Sequence, residues 1–313
     1  MNSADWLIAG PRGRRLCSAL NGEGLERAGA EQLFAALADA VTWATYWQEP
    51  DDVDQALAAA RADPALHELA ARVAAQVPAW WNSNVDLTAQ VCIEWDDPAL
   101  AAPAFAGVPQ RVAAWRAGEA ADERRAAERP PDVRAPWSGH WWSAPCLQNL
   151  PSSARTVGAE PVGLTLVEDE LGWTAALCRP VVPSRDVRIY EIRSADDWIR
   201  LVERHPFDVS LSRRHDWWRA TGLDSRWLIP DYTAVGRDYD GVHLTVRAYL
   251  EAAGRALPVG KAHTVLAGWH PDQTYWLTDC LAVSGPAQRW VRDENADPCR
   301  WHPGDDVSPA AGR

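Results

Sequence analysis

Tryptophan stands next to tryptophan three times in this chain, at residues 80–81, 141–142 and 217–218. Neighbouring side chains in a strand point to opposite faces, and in a helix they diverge by about 100°. The two indoles of a pair therefore cannot share one environment. One can fill a core. The other needs a second packed layer, a partner or a ligand, and any buried indole N–H needs an acceptor. There are 19 tryptophans against 3 phenylalanines. Coding bias accounts for part of this, because Lys261 is the only lysine among 31 basic residues. It does not account for the pairing.

The rest of the composition is that of a globular protein. With 313 residues, 47% hydrophobic and 24% charged, the chain can form one large domain or two ordinary ones. A net charge of −12 argues against general nucleic-acid binding and against an anionic membrane surface, since both need a positive field. No apolar run has the length of a membrane span. The start, MNSADWLIAGPRGRRLCSAL, has four apolar residues before a basic cluster and does not read as a secretory leader. A cytoplasmic protein is expected. Cys17, Cys92, Cys146, Cys178, Cys280 and Cys299 lie far apart with no C-x-x-C spacing, which predicts buried thiols and no structural zinc.

Periodicity divides the chain at the proline pair 130–131. Before it the pattern is helical. Leu33, Leu37 and Val41 recur at helical spacing within residues 26–48. Asp63-Pro64 supplies an N-cap and a first-turn proline for a helix carrying Leu66, Leu69 and Val73. Residues 110–129 read as a polar helix whose charged end, GEAADERRAAERPP, leads into a flexible joint at 118–136. After it the pattern is mixed. DVRIYEI alternates as a strand, and Ser194 and Asp197 have capping-box spacing before Trp198, Leu201 and Val202. A short helix after Ser212 stops near Gly222, and AHTVLAGW and TYWLTD read as a hairpin across HPDQ. The expected fold is α+β, with a helical part at 1–130 packed on a part at 131–292 of short, mainly antiparallel strands. Residues 293–313 are expected to form a loose tail.

Phosphate-loop, dinucleotide-fingerprint, zincin and nucleophile-elbow motifs are absent, so any site is assembled from dispersed residues. SGHWWSAP puts Trp141, Trp142 and Ser143 forward, either as packing between two layers or as a pocket for a planar ligand. LPSSART offers Ser152, Ser153, Arg155 and Thr156 to an oxyanion, or is a capped turn. RIYEI places Tyr190 and Glu191 on opposite strand faces, so that Glu191 is a candidate acid or an ordinary surface carboxylate. Arg214 and His215, in SRRHDWWRATG, could meet an anion or form a solvated face. Asp238, Asp240 and His243 are close enough in sequence for a metal, yet the turn signal Asp-Gly and the apolar flanks of His243 favour packing. No metal is expected.

The stretches SGHWWSAP, DVRIYEI, DYDGVHLTVRAYL and HPDQTYWLTD resemble a tryptophan-rich actinobacterial protein family over about residues 80–280, a resemblance that implies no activity. The hydroxyl-bearing stretch followed by an acidic strand is also similar to ADP-ribosyltransferase-like domains, which hold NAD in a cleft. That likeness implies Trp141 or Trp142 on the nicotinamide, Ser152, Ser153 and Thr156 as the hydroxyl strand, and Glu191 as the acid. The family's serine-threonine-serine pattern is PSSART here, and its late glutamate pair is replaced by DQTYWLTD. The resulting expectation is an enzyme acting on a planar or nucleotide-like anion, NAD among them, in a tryptophan-lined cleft. The alternative is a binding protein whose exposed tryptophans form a partner surface.

Overall fold

The computed structural model describes residues 4–20, 29–97, 100, 103–145, 150–169, 172–293 and 300–304. The fold is α+β. Its helices are α1 (Asp5–Ala9), α2 (Pro11–Ala19), α3 (Ala30–Thr42), α4 (Asp52–Ala59), α5 (Pro64–Ala74), α6 (Val108–Arg125), α7 (Ala195–Arg204), α8 (Ser210–Thr221), α9 (Tyr232–Asp238) and α10 (Val246–Ala252). Several begin where a side chain satisfies a free backbone N–H. Asp51 accepts from Asp54 N at α4, Asp63 from Ala65 N at α5, and Ser194 from Asp197 N at α7. The capping box is reciprocal, since Asp197 accepts from the Ser194 hydroxyl and from Arg193 N. Helix α8 ends at Gly222 with φ of 72°, the left-handed conformation that glycine adopts without a Cβ penalty.

The strands are β1 (Gln90–Trp95), β2 (Ser152–Val157), β3 (Glu160–Pro161), β4 (Ala175–Pro183), β5 (Ile189–Ile192), β6 (Pro206–Asp208), β7 (Leu228–Pro230), β8 (Gly241–Leu244), β9 (Leu257–Val259), β10 (Ala262–Thr264), β11 (Thr274–Trp276), β12 (Leu281–Val283), β13 (Gln288–Asp293) and β14 (Arg300–Pro303). The main sheet runs β14-β13-β4-β1-β2-β11-β8-β5, with β12 beside β4 and β3 beside β2. Pairing is antiparallel except for β5 against β8, where Glu191 lies opposite His243.

Four expectations need correction. Residues before 130 are not all helical: Gln90–Trp95 is an inner strand between β4 and β2. Six residues are too short for periodicity to announce a strand whose hydrogen-bond partners lie far along the chain. The hairpin expected across HPDQ does not form. Strand β10 pairs with β9, and β11 enters the main sheet between β2 and β8. The stretch at 118–136 is tied down. Arg129 donates to Ser212 O, Arg214 donates to the carbonyls of Ala126 and Arg129, and His215 meets Pro130 O. One hydrophobic core accordingly runs across residue 130, from Ala4 to Leu277. Finally, residues 300–303 of the expected tail form an edge strand on β13. Residues 294–299 and 305–313 lie outside the described residues, as do Cys146 and Cys299. Cys17, Cys92, Cys178 and Cys280 are buried free thiols.

The tryptophan pairs divide as their geometry demands. Trp81, Trp141 and Trp217 are buried, while Trp80, Trp142 and Trp218 are half-buried. The inner partners join a ring-packed core that includes the edge-to-face pairs Trp217–Trp227, Trp198–Trp269 and Trp269–Tyr275. Several indole N–H groups are matched: Trp217 donates to Trp141 O, Trp198 to Thr264 and Trp276 to Ser153.

Candidate functional site

A cleft of about 710 Å³ opens between α2, the end of α3, the start of α4, the end of α8 and the turn after α10. Helix α2 supplies its arginines. The glycines of this region let the helices come close: a Cβ at Gly13 would overlap the Leu7 backbone, and one at Gly10 the Leu250 carbonyl. Arg12 and Arg15, one turn apart, turn toward α4, where Arg12 pairs with Asp54, and Arg15 pairs with Asp51 at 2.7 Å and Asp54 at 3.5 Å. Arg14 turns the other way and donates to the carbonyls of Ile8 and Ala9 at the end of α1. Arg61 and Arg255 face the same cleft.

Arg14, Arg61 and Arg255 form no ion pair with a carboxylate of the described residues. Burial, then the Arg61 guanidinium, lowers the pKa of Arg14, and Asp54 offsets only part of this. Burial also lowers Arg255, where Glu251 offsets part and Arg61 adds repulsion. Three like charges thus gather in a chain of net charge −12. Two indoles line the same space. Trp43 is 47% exposed with the Arg15 guanidinium 4.6 Å from its ring centre, and Trp218 has Arg134 at 5.5 Å. Tyr46 also lines it, packed so closely on Gly254 that a Cβ there would overlap the ring, and Gly254 also has a φ of 73°. The arrangement can hold a flat group by stacking and an oxyanion by charge-assisted hydrogen bonds.

Behind Tyr46 lies a group of fully buried polar side chains. The hydroxyls of Tyr46 and Tyr249 are buried without hydrogen bonds of normal geometry. Glu168 accepts from Gly268 N at 2.5 Å, and burial pushes its carboxyl up to about 8. Its own backbone N–H donates to Nδ1 of His270, which burial lowers to about 4.

The site residues expected from the sequence lie elsewhere, and none of them lines this cleft. Glu191 and Arg155 are drawn into one buried chain. Glu191 Oε2 accepts from His243 Nδ1 at 2.6 Å, and His243 Nε2 faces Asp272 Oδ1 at 3.4 Å. Asp272 in turn accepts from Arg155 Nε at 2.7 Å and from the Arg155 backbone. Both nitrogens of His243 face carboxylates, an arrangement that favours the imidazolium, which donates from both. Burial would lower its pKa, but the hydrogen bonds that it donates to Asp272 and Glu191, with the charges of these two carboxylates, outweigh burial and raise it. The ends of the chain fasten residues 83–85: Arg155 donates to Ser83 Oγ and Asn84 O, and Val85 N donates to Glu191 Oε1. Trp80 lies beside the Arg155 guanidinium at 5.5 Å.

The other expected residues are held by contacts within the fold, while Tyr190, with Glu191, also lines a second, open cleft of about 740 Å³, and Ser152 and Ser153 a small one. Trp142 offers its carbonyl to Arg213 and rests against Gly268, and Ser143 exchanges hydrogen bonds with Ala267. LPSSART is not a turn but contains β2. There Ser152 accepts from Gln273, Ser153 bridges Gln90 and Trp276, and the Thr156 backbone joins Ala89. Tyr190 donates to Asp197 O. Arg214 and His215 hold residues 126–130, as described above. Asp240 is taken by Arg185 and the Arg188 backbone, and Asp238 by Arg204, so neither joins His243. The arginines of α2 were visible in PRGRRLCSAL but lost their meaning against an arginine-biased composition, and Trp43 read as one more helix-face residue. No protein-family model matches the chain, and neither does any curated protein or solved structure.

Proposed function

We propose that the chain binds a planar, anionic, nucleotide-like small molecule in the cleft between α2 and α8, and acts on it there as an enzyme. The observation that carries this reading is the group of Arg14, Arg61 and Arg255, which have no ion-pair partner among the described residues, at one cleft with Trp43 and Trp218. Guanidiniums in that state gain from an anion, because a charge-assisted hydrogen bond is worth about 1.5–3 kcal/mol. The location differs from the one the sequence suggested. ADP-ribosyl transfer would require Glu191 beside the ligand, and Glu191 is instead committed to His243 and Val85 N.

Tryptophan fluorescence tests the reading. AMP, NAD and FMN are titrated into the protein at low salt, with uncharged adenosine as the control. The expected result is saturable quenching by an anion, weakening as salt screens the cleft. Arg61→Gln combined with Arg255→Gln should weaken it at least tenfold. Quenching by none of the three anions, or equal affinity for adenosine, would remove this function from consideration.

A further inference from the structure

We infer that the ligand carries two flat groups joined by a link of two or more phosphates. This rests on the cleft being the binding site. Two tryptophans line it, and they come from separate elements: Trp43 from the end of α3, and Trp218 from α8. Each has a guanidinium against its ring, Arg15 on Trp43 and Arg134 on Trp218. Arg15 is fixed in turn by Asp51. A cation over one face of an indole leaves the other face as a platform for an electron-rich ring. Coming from separate elements, each indole can carry a flat group of its own. The volume of about 710 Å³ lies in the upper part of the range of roughly 300–1,000 Å³ for small-molecule sites, which leaves room for a second ring.

Charge points to the link. Arg14, Arg61 and Arg255 have no ion-pair partner among the described residues, and the one further carboxylate of the lining, Glu49, offsets one of the three charges; the two that remain exceed what a single phosphodiester, with one negative charge, can neutralise. A pyrophosphate or longer bridge supplies at least two charges, and its oxygens suit the fork geometry of arginine. A dinucleotide joined through its phosphates has this chemistry.

The test uses two probes of equal linker charge that differ in the second base, diadenosine 5′,5′-diphosphate and ADP-ribose. Dissociation constants are measured by calorimetry on the full chain. The dinucleotide should bind at least tenfold more tightly, a difference of about 1.4 kcal/mol. Trp43→Leu and Trp218→Leu should each bring it to the level of ADP-ribose, and Trp43→Phe, which keeps a flat face, should retain most of the gain. Thermal melting of each variant verifies that the fold persists. If both probes bind the wild-type protein equally, or if either leucine variant keeps the full advantage while folded, the two-ring inference is overturned and the anion site stands. If neither probe binds, both the inference and the proposed site fall.

Discussion

Asp272→Asn isolates the buried chain that runs from Glu191 through His243 and Asp272 to Arg155. Asp272 has φ of 59°, and asparagine tolerates the left-handed region as well as aspartate does, so the backbone is spared. What changes is charge. Asp272 is 1% exposed, and the Arg155 side chain 7%, so water cannot take the place of the missing carboxylate. Removing one partner of a buried ion pair costs about 3–5 kcal/mol, against about 0–1 kcal/mol for an exposed pair. The structure therefore predicts a loss in the first range, read from urea unfolding at pH 6. A pH effect accompanies it. The folded pKa of His243 is raised above its ordinary 6.5. Its contribution to stability is thus complete below about 6.5 and disappears as the pH rises through the raised folded value. Asparagine removes one of the two carboxylates that raise His243, so the alkaline loss should be smaller and finish at lower pH in the variant. A loss below about 1 kcal/mol, or identical pH profiles, would show that the chain is an incidental contact.

Further outcomes follow from other buried groups. Glu119→Ala takes from Arg213, which is fully buried, its close partner at 2.6 Å and leaves only Asp122 at 3.9 Å; it should cost about 3 kcal/mol, the low end for a broken buried pair, in urea unfolding. Glu168→Gln should leave the protein more stable than wild type at pH 8. Because the folded Glu168 pKa is raised to about 8 from 4.5, the wild-type protein loses stability as pH rises between those values, and the variant should lack that slope in a pH series of unfolding curves. Trp141→Ala should cost about 3–5 kcal/mol and the half-buried Trp142→Ala clearly less, with neither changing anion affinity in the fluorescence titration.

What could be read from the sequence was what local chemistry decides. Asp63-Pro64 and Ser194 start helices because a cap needs only its next few residues. RIYEI alternates enough to be recognised as β5. The division of each tryptophan pair follows from backbone geometry alone. Features that depend on distant partners were hidden. QVCIEW is a strand only because β4 and β2 flank it, and PSSART stopped being a turn for the same reason. Ser153 and Arg155 looked like free donors, yet Ser153 donates to Gln90 on β1 and Arg155 to Asp272, more than a hundred residues on. His243 read correctly as a packed histidine, but its two carboxylate neighbours come from β5 and from the turn before β11, which no local pattern brings together. The cleft was hardest to see, because Arg14, Arg61 and Arg255 are spread over most of the chain.

The placement of β1 bears on how the protein is made. Strand β1 pairs with β4, whose register matches Gln90 with Val181 and Trp95 with Ala176. Helix α1 packs against α10, near residue 250. A chain emerging from the ribosome therefore cannot complete the burial of its first helices until about four-fifths of it has been synthesised. Leu7, Leu16 and Val41, all fully buried in the finished protein, wait exposed until then. Long-range closure of this kind slows folding and leaves apolar surface open to aggregation. Expression of residues 1–130 alone should give an insoluble or chaperone-bound product, and early termination codons should be equally damaging wherever they fall before α10.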